Sequence, residues 1–341
     1  MQNGYEEIIR QRLSGRNRRG NAVQNYIGVQ SQFYRYAKIC CKLYGVDLDT
    51  DNNKYFKAWT LRGTLHIHHL EDYSTVIYQD MLTPYMNEFW NDESVVDISE
   101  KRYFCQIILG ELSVQNLGKK EIIDLCIREG LSPEKKEYLF NPWGGLPRYL
   151  IETGKIILLC DGQNTFALAP KTELLDREKA EKEQVRRYIS GYHPCTIKDI
   201  MYFFKWGKRK SEKLAEEVLE TAFKNKYRIE KIGDNDYIFI EEENIPSNTN
   251  EIYVLSAFDP LLLGYEKKEN PMLPKEHLRK VFTLQGIVKP TIIHNGQIVG
   301  TWNIKQNKIS IGLFKNMEMD RLDEVYEILK KSTGIENITV N

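Results

Sequence analysis

Between Tyr5 and Gly45 the apolar positions recur at helical spacing, first around Ile8, Ile9 and Leu13, then around Phe33, Tyr36, Ala37, Ile39 and Leu43. Gly15, Gly20 and Gly28 interrupt the pattern, so separate helices are expected, with Gly28 consistent with one starting near Gln30. Trp59 to His68 alternates large, branched and polar residues, which suits a strand, and Thr83-Pro84 is expected to end the helix that follows it. Helix, helix, strand sketches a winged helix for residues 1–95.

A second unit, 96–172, is read from helical runs at Phe104 to Leu112 and Glu121 to Arg128. It closes on a strand ending at Leu159, a turn at Asp161-Gly162 and a return strand from Thr165 to Ala169. A third, 173–245, opens on the charged helix Asp176 to Ile189. Thr196 to Lys224 reads as helix, turn, helix about Trp206-Gly207, and a hairpin follows through Gly233 to Asp236. Both hairpins are wing-like repetitions. The stretch from Glu241 to Glu251 reads as a linker. Beyond it, a fourth unit, 246–341, has strands near Tyr253, Ile287-Val288, Thr291 and Ile298, a hairpin turn at His294-Asn295-Gly296, and a closing helix from Leu322 to Lys331.

A chain of 341 residues suits several domains rather than one core. No stretch approaches the ~20 apolar residues that span a bilayer, and the N-terminus lacks a secretory pattern. No membrane association and a cytoplasmic location are therefore expected. The six cysteines are scattered without C-x-x-C pairs and are read as buried thiols. With 48 basic and 48 acidic residues the net charge is zero, so any nucleic-acid contact must come from local patches.

Two such patches stand out. Arg10, Arg12, Arg16, Arg18 and Arg19 precede a Gln30-Ser31-Gln32 triplet, and Lys205, Lys208, Arg209, Lys210 and Lys213 surround Trp206 at the third unit's turn. Phosphate binding is one reading of the arginines and a solvated basic face the other, and the two clusters together could clasp a duplex from either side. Arg62, Thr64 and His66 alternate, so on a single strand they would share one face. His66, His68 and His69 lack the carboxylates or cysteines that would complete a metal set. Residues two apart, such as Gln30 and Gln32, point to one side of a strand and to nearly opposite sides of a helix. They are either two polar residues on a solvated helix end or a functional pair presented from extended or helix-end backbone. Asp259-Pro260 is either a routine turn former or a support for a polar partner near a cleft.

Four stretches, taken together, carry a resemblance. Tyr26-Ile-Gly-Val-Gln-Ser-Gln32, Trp59-Thr-Leu-Arg-Gly-Thr-Leu-His66, Phe258-Asp-Pro-Leu-Leu-Leu-Gly264 and Gly296-Gln-Ile-Val-Gly-Thr-Trp302 occur in this order and at these separations. Together they resemble the winged-helix DNA glycosylases of the AlkZ and YcaQ type. The resemblance implies an α+β fold of tandem winged-helix (helix-turn-helix) units forming a C-shaped DNA channel, with a C-terminal α/β domain. It implies Gln30 and Gln32 as catalytic residues of a monofunctional glycosylase, active on N7-alkylguanine and interstrand crosslinks. DNA contacts are expected from the basic clusters, through Arg16, Arg18, Arg19, Lys205, Lys208 and Arg209, and from Arg62, Thr64 and His66, roles that the resemblance permits, with Asp259 as candidate support for the pocket. Double-stranded DNA bearing alkylated purines is the expected partner, a monomer the expected state, and no cofactor or metal is required. The family usually carries an aliphatic residue between the two glutamines; here it is Ser31.

The chemistry suits amides. Hydrolysing an N-glycosidic bond builds positive charge on the sugar, and an N7-alkylated purine is already a cationic leaving group that needs no strong acid. A glutamine cannot act as a general base near neutral pH, but it can hold a water and a sugar or phosphate oxygen in place. No lysine near Gln30 would support a Schiff-base lyase step. The rivals are a winged-helix transcription regulator without catalysis, and a nuclease, which would want clustered carboxylates for Mg²⁺.

Overall fold

The computed structural model describes residues 2–15, 22–241 and 251–340. The chain begins with α1 (Gln2–Ser14), α2 (Ala22–Asn25), the short strand β1 (Val29–Gln30) and α3 (Tyr34–Leu43). Next come β2 (Tyr55–Trp59), β3 (Leu65–His69), α4 (Tyr73–Val76), α5 (Pro84–Asn91), α6 (Ile98–Leu112), α7 (Lys119–Arg128), α8 (Pro133–Leu139) and α9 (Gly145–Glu152). The hairpin β4 (Ile156–Leu159) and β5 (Phe166–Leu168) leads to α10 (Arg177–Tyr192), α11 (Ile197–Phe204) and α12 (Lys208–Ala222). There follow β6 (Tyr227–Ile232), β7 (Asn235–Ile240), β8 (Ile252–Leu255), α13 (Pro260–Leu263), α14 (Leu278–Val281), β9 (Thr291–His294), β10 (Gln297–Lys305), β11 (Lys308–Leu313), α15 (Met319–Thr333) and β12 (Ile338–Val340). The fold is α+β. Two compact units result, one from residues 1–47 with 184–341, the other from 48–183.

In the first unit, β12-β11-β10-β9-β8 form a sheet, antiparallel except for the β11–β12 pair. Its core gathers Val254, Ile292, Val299, Ile309 and Ile311 with Val325 and Leu329 of α15 and Ile39 of α3. Trp302 is fully buried there and donates its indole N–H to the Leu255 carbonyl at 3.0 Å. The same unit holds a helix–turn–helix followed by a hairpin. Thr196 and Asp199 cap α11 reciprocally, so two donors of its first turn are satisfied. Lys205 ends it in the left-handed region, and α12 begins at Lys208 after Gly207. The β6–β7 hairpin pairs Tyr227 with Ile240 and Ile232 with Asn235, and α1 packs Ile8 and Tyr5 against its Ile232, Tyr237 and Phe239.

In the second unit the strands run β3-β2-β4-β5, all antiparallel, with Tyr55 opposite His69 and Trp59 opposite Leu65. Buried Lys57 of β2 donates to Asn164 Oδ1 at 2.6 Å, and burial pushes its pKa below the lysine value. Lys101 of α6, also buried, caps the carbonyls of Phe89, Trp90 and Asp92.

Several local expectations need correction. The helix expected near Gln30 starts at Tyr34, because Ile27 and Gly28 take positive φ and turn the chain into an extended segment first. The strand expected from Trp59 to His68 is a turn, Leu61–Gly63, between two strands; Arg62 and Gly63 adopt positive φ and Thr60 N donates to the Thr64 carbonyl. Thr83-Pro84 begins a helix instead of ending one: the Thr83 hydroxyl accepts from Met86 N, and proline at the first helical position loses no needed donor. Ile287-Val288 contributes an isolated bridge to Phe282, not a strand. Of the linker expected from Glu241 to Glu251, residues 242–250 lie outside the described residues. Among the described residues no helix is long and apolar enough to cross a membrane.

Candidate active site

Extended backbone at β1 puts Gln30 and Gln32 on one side of the chain, and their amides meet. Gln30 Nε2 donates to Gln32 Oε1 at 3.0 Å. Gln30 is buried at 8% exposure, whereas Gln32 is exposed and its own NH2 has no partner among the described residues. Ser31 points the other way and is buried, and its hydroxyl finds no hydrogen-bond partner among the described residues. The turn before the motif is clamped by tyrosines. Tyr26 packs against Tyr44 and Tyr192, and the Tyr192 hydroxyl donates to the Tyr26 carbonyl at 3.1 Å.

Behind the motif, α3 is tied to the C-terminal part of the same unit. Asp259, fully buried, accepts from the Tyr44 hydroxyl at 2.7 Å, from Cys40 Sγ at 3.7 Å, and from the backbone N–H groups of Ser256 and Leu261. These bonds tie α3 and the residue after it to the turn that carries Asp259, so Asp259 helps to place α3. Phe258, at positive φ, stacks on Phe33 with ring centroids 5.7 Å apart, directly after Gln32. Ser256 Oγ donates to the Tyr36 carbonyl, and the Tyr36 hydroxyl accepts from Ile304 N. Tyr44, Cys40 and Phe33 carry no motif signal of their own; only their helical spacing behind Gln32 could have pointed to them.

In the second unit, Arg62, Thr64 and His66 sit at the β2–β3 turn, not along one strand face. Arg62 is within the turn, Thr64 follows it, and His66 is on β3. The Thr64 hydroxyl donates to the Leu61 carbonyl, closing the turn. His66 Nδ1 lies 2.9 Å from the Thr64 carbonyl and so carries the proton, which leaves Nε2 as an acceptor facing Arg62 Nη2 at 3.5 Å. Burial, then Arg62 and His68, hold the His66 pKa well below the ordinary histidine value. His66 is neutral at physiological pH.

Lys205, Lys208 and Arg209 are all exposed and come together at the turn into α12, as their spacing suggested. Lys208 reaches Glu212 at 3.5 Å, and Lys210 lies over the Trp206 ring, itself stacked on Phe204. Arg16, Arg18 and Arg19 lie outside the described residues. Arg12 cannot serve phosphate. It is buried, donates to the Pro194 carbonyl, pairs with Asp199 at 3.3 Å and stacks on Tyr265 at 3.5 Å.

Residues 127–313, more than half of the chain, match the family described as DNA glycosylase AlkZ-like. The chain belongs to the AlkZ-like DNA glycosylase family. Similarity to this family extends past the matched segment. An interstrand DNA cross-link repair glycosylase from Streptomyces sahachiroi is 22% identical over 329 residues, covering 87% of this chain and 85% of the relative. The solved structure of the Streptomyces sahachiroi DNA glycosylase AlkZ superposes with a TM-score of 0.76 at 18% identity, over 99% of this chain and 98% of that one. That likeness establishes a shared α+β fold. Within this AlkZ-like chain, Gln30 and Gln32 precede the matched segment, while Asp259 and Trp302 lie inside it.

Proposed function

We propose that this glycosylase is monofunctional and hydrolyses the N-glycosidic bond of N-alkylated purines, N7-alkylguanine and interstrand crosslinks among them, with Gln30 and Gln32 as its catalytic residues. The observation that carries the reading is the amide pair, in which buried Gln30 holds Gln32 by one hydrogen bond while Gln32 keeps its NH2 for an outside acceptor. The name of the Streptomyces sahachiroi relative, an interstrand cross-link repair glycosylase, supports the substrate class.

In the proposed reaction the amides hold a water against the anomeric carbon and orient a sugar or phosphate oxygen. The bond from that carbon to purine N9 breaks, its electron pair quenching the cationic ring. The water oxygen bonds to the anomeric carbon and releases its proton to solvent. Positioning without proton abstraction suffices because the leaving group is already charged.

Double-stranded DNA would be gripped by Lys205, Lys208 and Arg209 at the start of α12, by Arg62, Thr64 and neutral His66 at the β2–β3 turn, and by Arg16, Arg18 and Arg19. The reading includes tandem winged-helix units at 1–95, 96–172 and 173–245 around a C-shaped channel, a C-terminal α/β domain at 246–341, action as a monomer and a cytoplasmic location.

The test is release of free base from N7-methylguanine DNA and from a nitrogen-mustard crosslink by purified protein. Wild type is expected to release base, and the Gln30→Ala, Gln32→Ala double variant to lose roughly 100-fold or more in rate while keeping duplex affinity. DNA binding without release from either substrate would replace this reading with that of a regulator.

A further inference from the structure

Trp143 of the second unit is 71% exposed, yet the backbone that carries it is tightly held. Its N–H donates to Asn141 Oδ1 at 2.9 Å, and its carbonyl accepts from Arg148 Nη1 at 3.2 Å. The next two residues, Gly144 and Gly145, take positive φ. A Cβ on Gly145 would stand 1.9 Å from the Leu139 carbonyl oxygen, and one on Gly144 2.4 Å from Arg148 Cβ, so the turn admits only glycine at both places. A large indole pushed into water from a rigid turn is not loop slack.

Arg148 also holds the backbone that carries the indole. Buried itself, it donates to Glu152 Oε1 at 2.7 Å and to Thr83 Oγ1 at 3.4 Å, and its guanidinium lies 5.8 Å from the Trp59 ring and 5.3 Å from the Tyr85 ring. A Cβ placed on Gly63 would come within 3.4 Å of Arg148 Nη2. One guanidinium therefore bonds the Trp143 carbonyl and lies beside the β2–β3 turn that carries Arg62. Tyr85, partly exposed, donates to the same Asn141 Oδ1 that holds Trp143.

From this arrangement we infer that Trp143 is a DNA contact that stacks on a nucleobase whose face has been uncovered by damage beside the lesion. The inference rests on the proposed reading that the Arg62 turn faces DNA. An intact duplex offers an indole no π-face, because each base is covered by its neighbours, whereas a missing or displaced base leaves one open. Trp143 would thus sense broken stacking independently of any base-edge hydrogen bond.

The experiment compares binding of the full chain, Trp143→Ala and Trp143→Phe to two duplexes at one salt concentration, one intact and one carrying an abasic-site analogue. Expected is that Trp143→Ala binds the abasic duplex roughly ten-fold or more weakly, binds the intact duplex as wild type does, and that Trp143→Phe restores most of the loss. Equal affinity of Trp143→Ala and wild type for the abasic duplex, or an equal loss on both duplexes, overturns it. So does Trp143-dependent self-association in sedimentation, which assigns the indole to a second copy. Gln32→Ala is expected to keep the abasic preference, which separates the two readings: no base release from wild type with the Trp143 preference intact removes only the glycosylase mechanism.

Discussion

The phenol of Tyr44 donates to the carboxylate of Asp259 at 2.7 Å, joining positions 215 residues apart in the chain. That bond, with the Cys40 thiol and two backbone N–H groups on the same carboxylate, docks α3 so that the residues just before it, Gln30 and Gln32, have a fixed base. Replacing Asp259 by Ala removes the acceptor that four donors share and is expected to cost about 3 kcal/mol, while Tyr44→Phe, which removes one donor, costs about 1 to 2 kcal/mol. Urea unfolding of both variants reads this out. A Tyr44→Phe midpoint equal to wild type would deny the bond its structural part.

Ser31 is expected to be a liability. Its buried hydroxyl has no partner among the described residues, so Ser31→Ala should stabilise the protein by about 1 kcal/mol and Ser31→Val should be tolerated, with base release retained in both. Thermal melting decides: a lower melting temperature for Ser31→Ala would mean that the hydroxyl has a use.

His66 links stability to pH. Its folded pKa is held well below 6.5, the unfolded value, by burial and by Arg62 and His68. As pH falls below 6.5 the unfolded chain takes up a proton that the folded chain refuses, so stability drops by up to about 1.4 kcal/mol per pH unit until the folded pKa is reached; above 6.5 the effect is absent. Urea titrations between pH 5 and pH 8 should show this slope in wild type and a shallower one in His66→Gln.

Gly191 of α10 lies against the turn ahead of the motif. A Cβ there would stand 2.0 Å from the Asn25 carbonyl oxygen, which is backbone and cannot step aside cheaply. Gly191→Ala is expected to destabilise by about 2 kcal/mol or more and to lower base release beyond the loss of folded protein, because the 25–28 turn aims β1. Rates corrected for the folded fraction test it.

Much of the architecture is local and was therefore readable. The hairpin at Asn295-Gly296 carries its turn chemistry in two residues, the hairpin about Asp161-Gly162 forms although residues 160–165 make a longer loop, and α11–turn–α12 follows from apolar spacing around Trp206-Gly207. Locality misled in two places. Leu61 to Gly63 alternates like a strand, but Arg62 and Gly63 at positive φ fold the segment back on itself. Thr83-Pro84 can stop a helix or start one, and the choice depends on whether Thr83 meets Met86 N.

What the amino-acid order determined alone was the α+β elements and the amide pair two residues apart, because strand and helix periods and turn residues act over a few neighbours. Only the tertiary structure decided that Arg12 belongs to the core with Asp199, that Asp259 holds α3, and that the Ser31 hydroxyl is orphaned while Gln32 faces outward. Those outcomes depend on partners that lie far away in sequence, and burial, which prices every charge and hydroxyl, is a property of the packed chain.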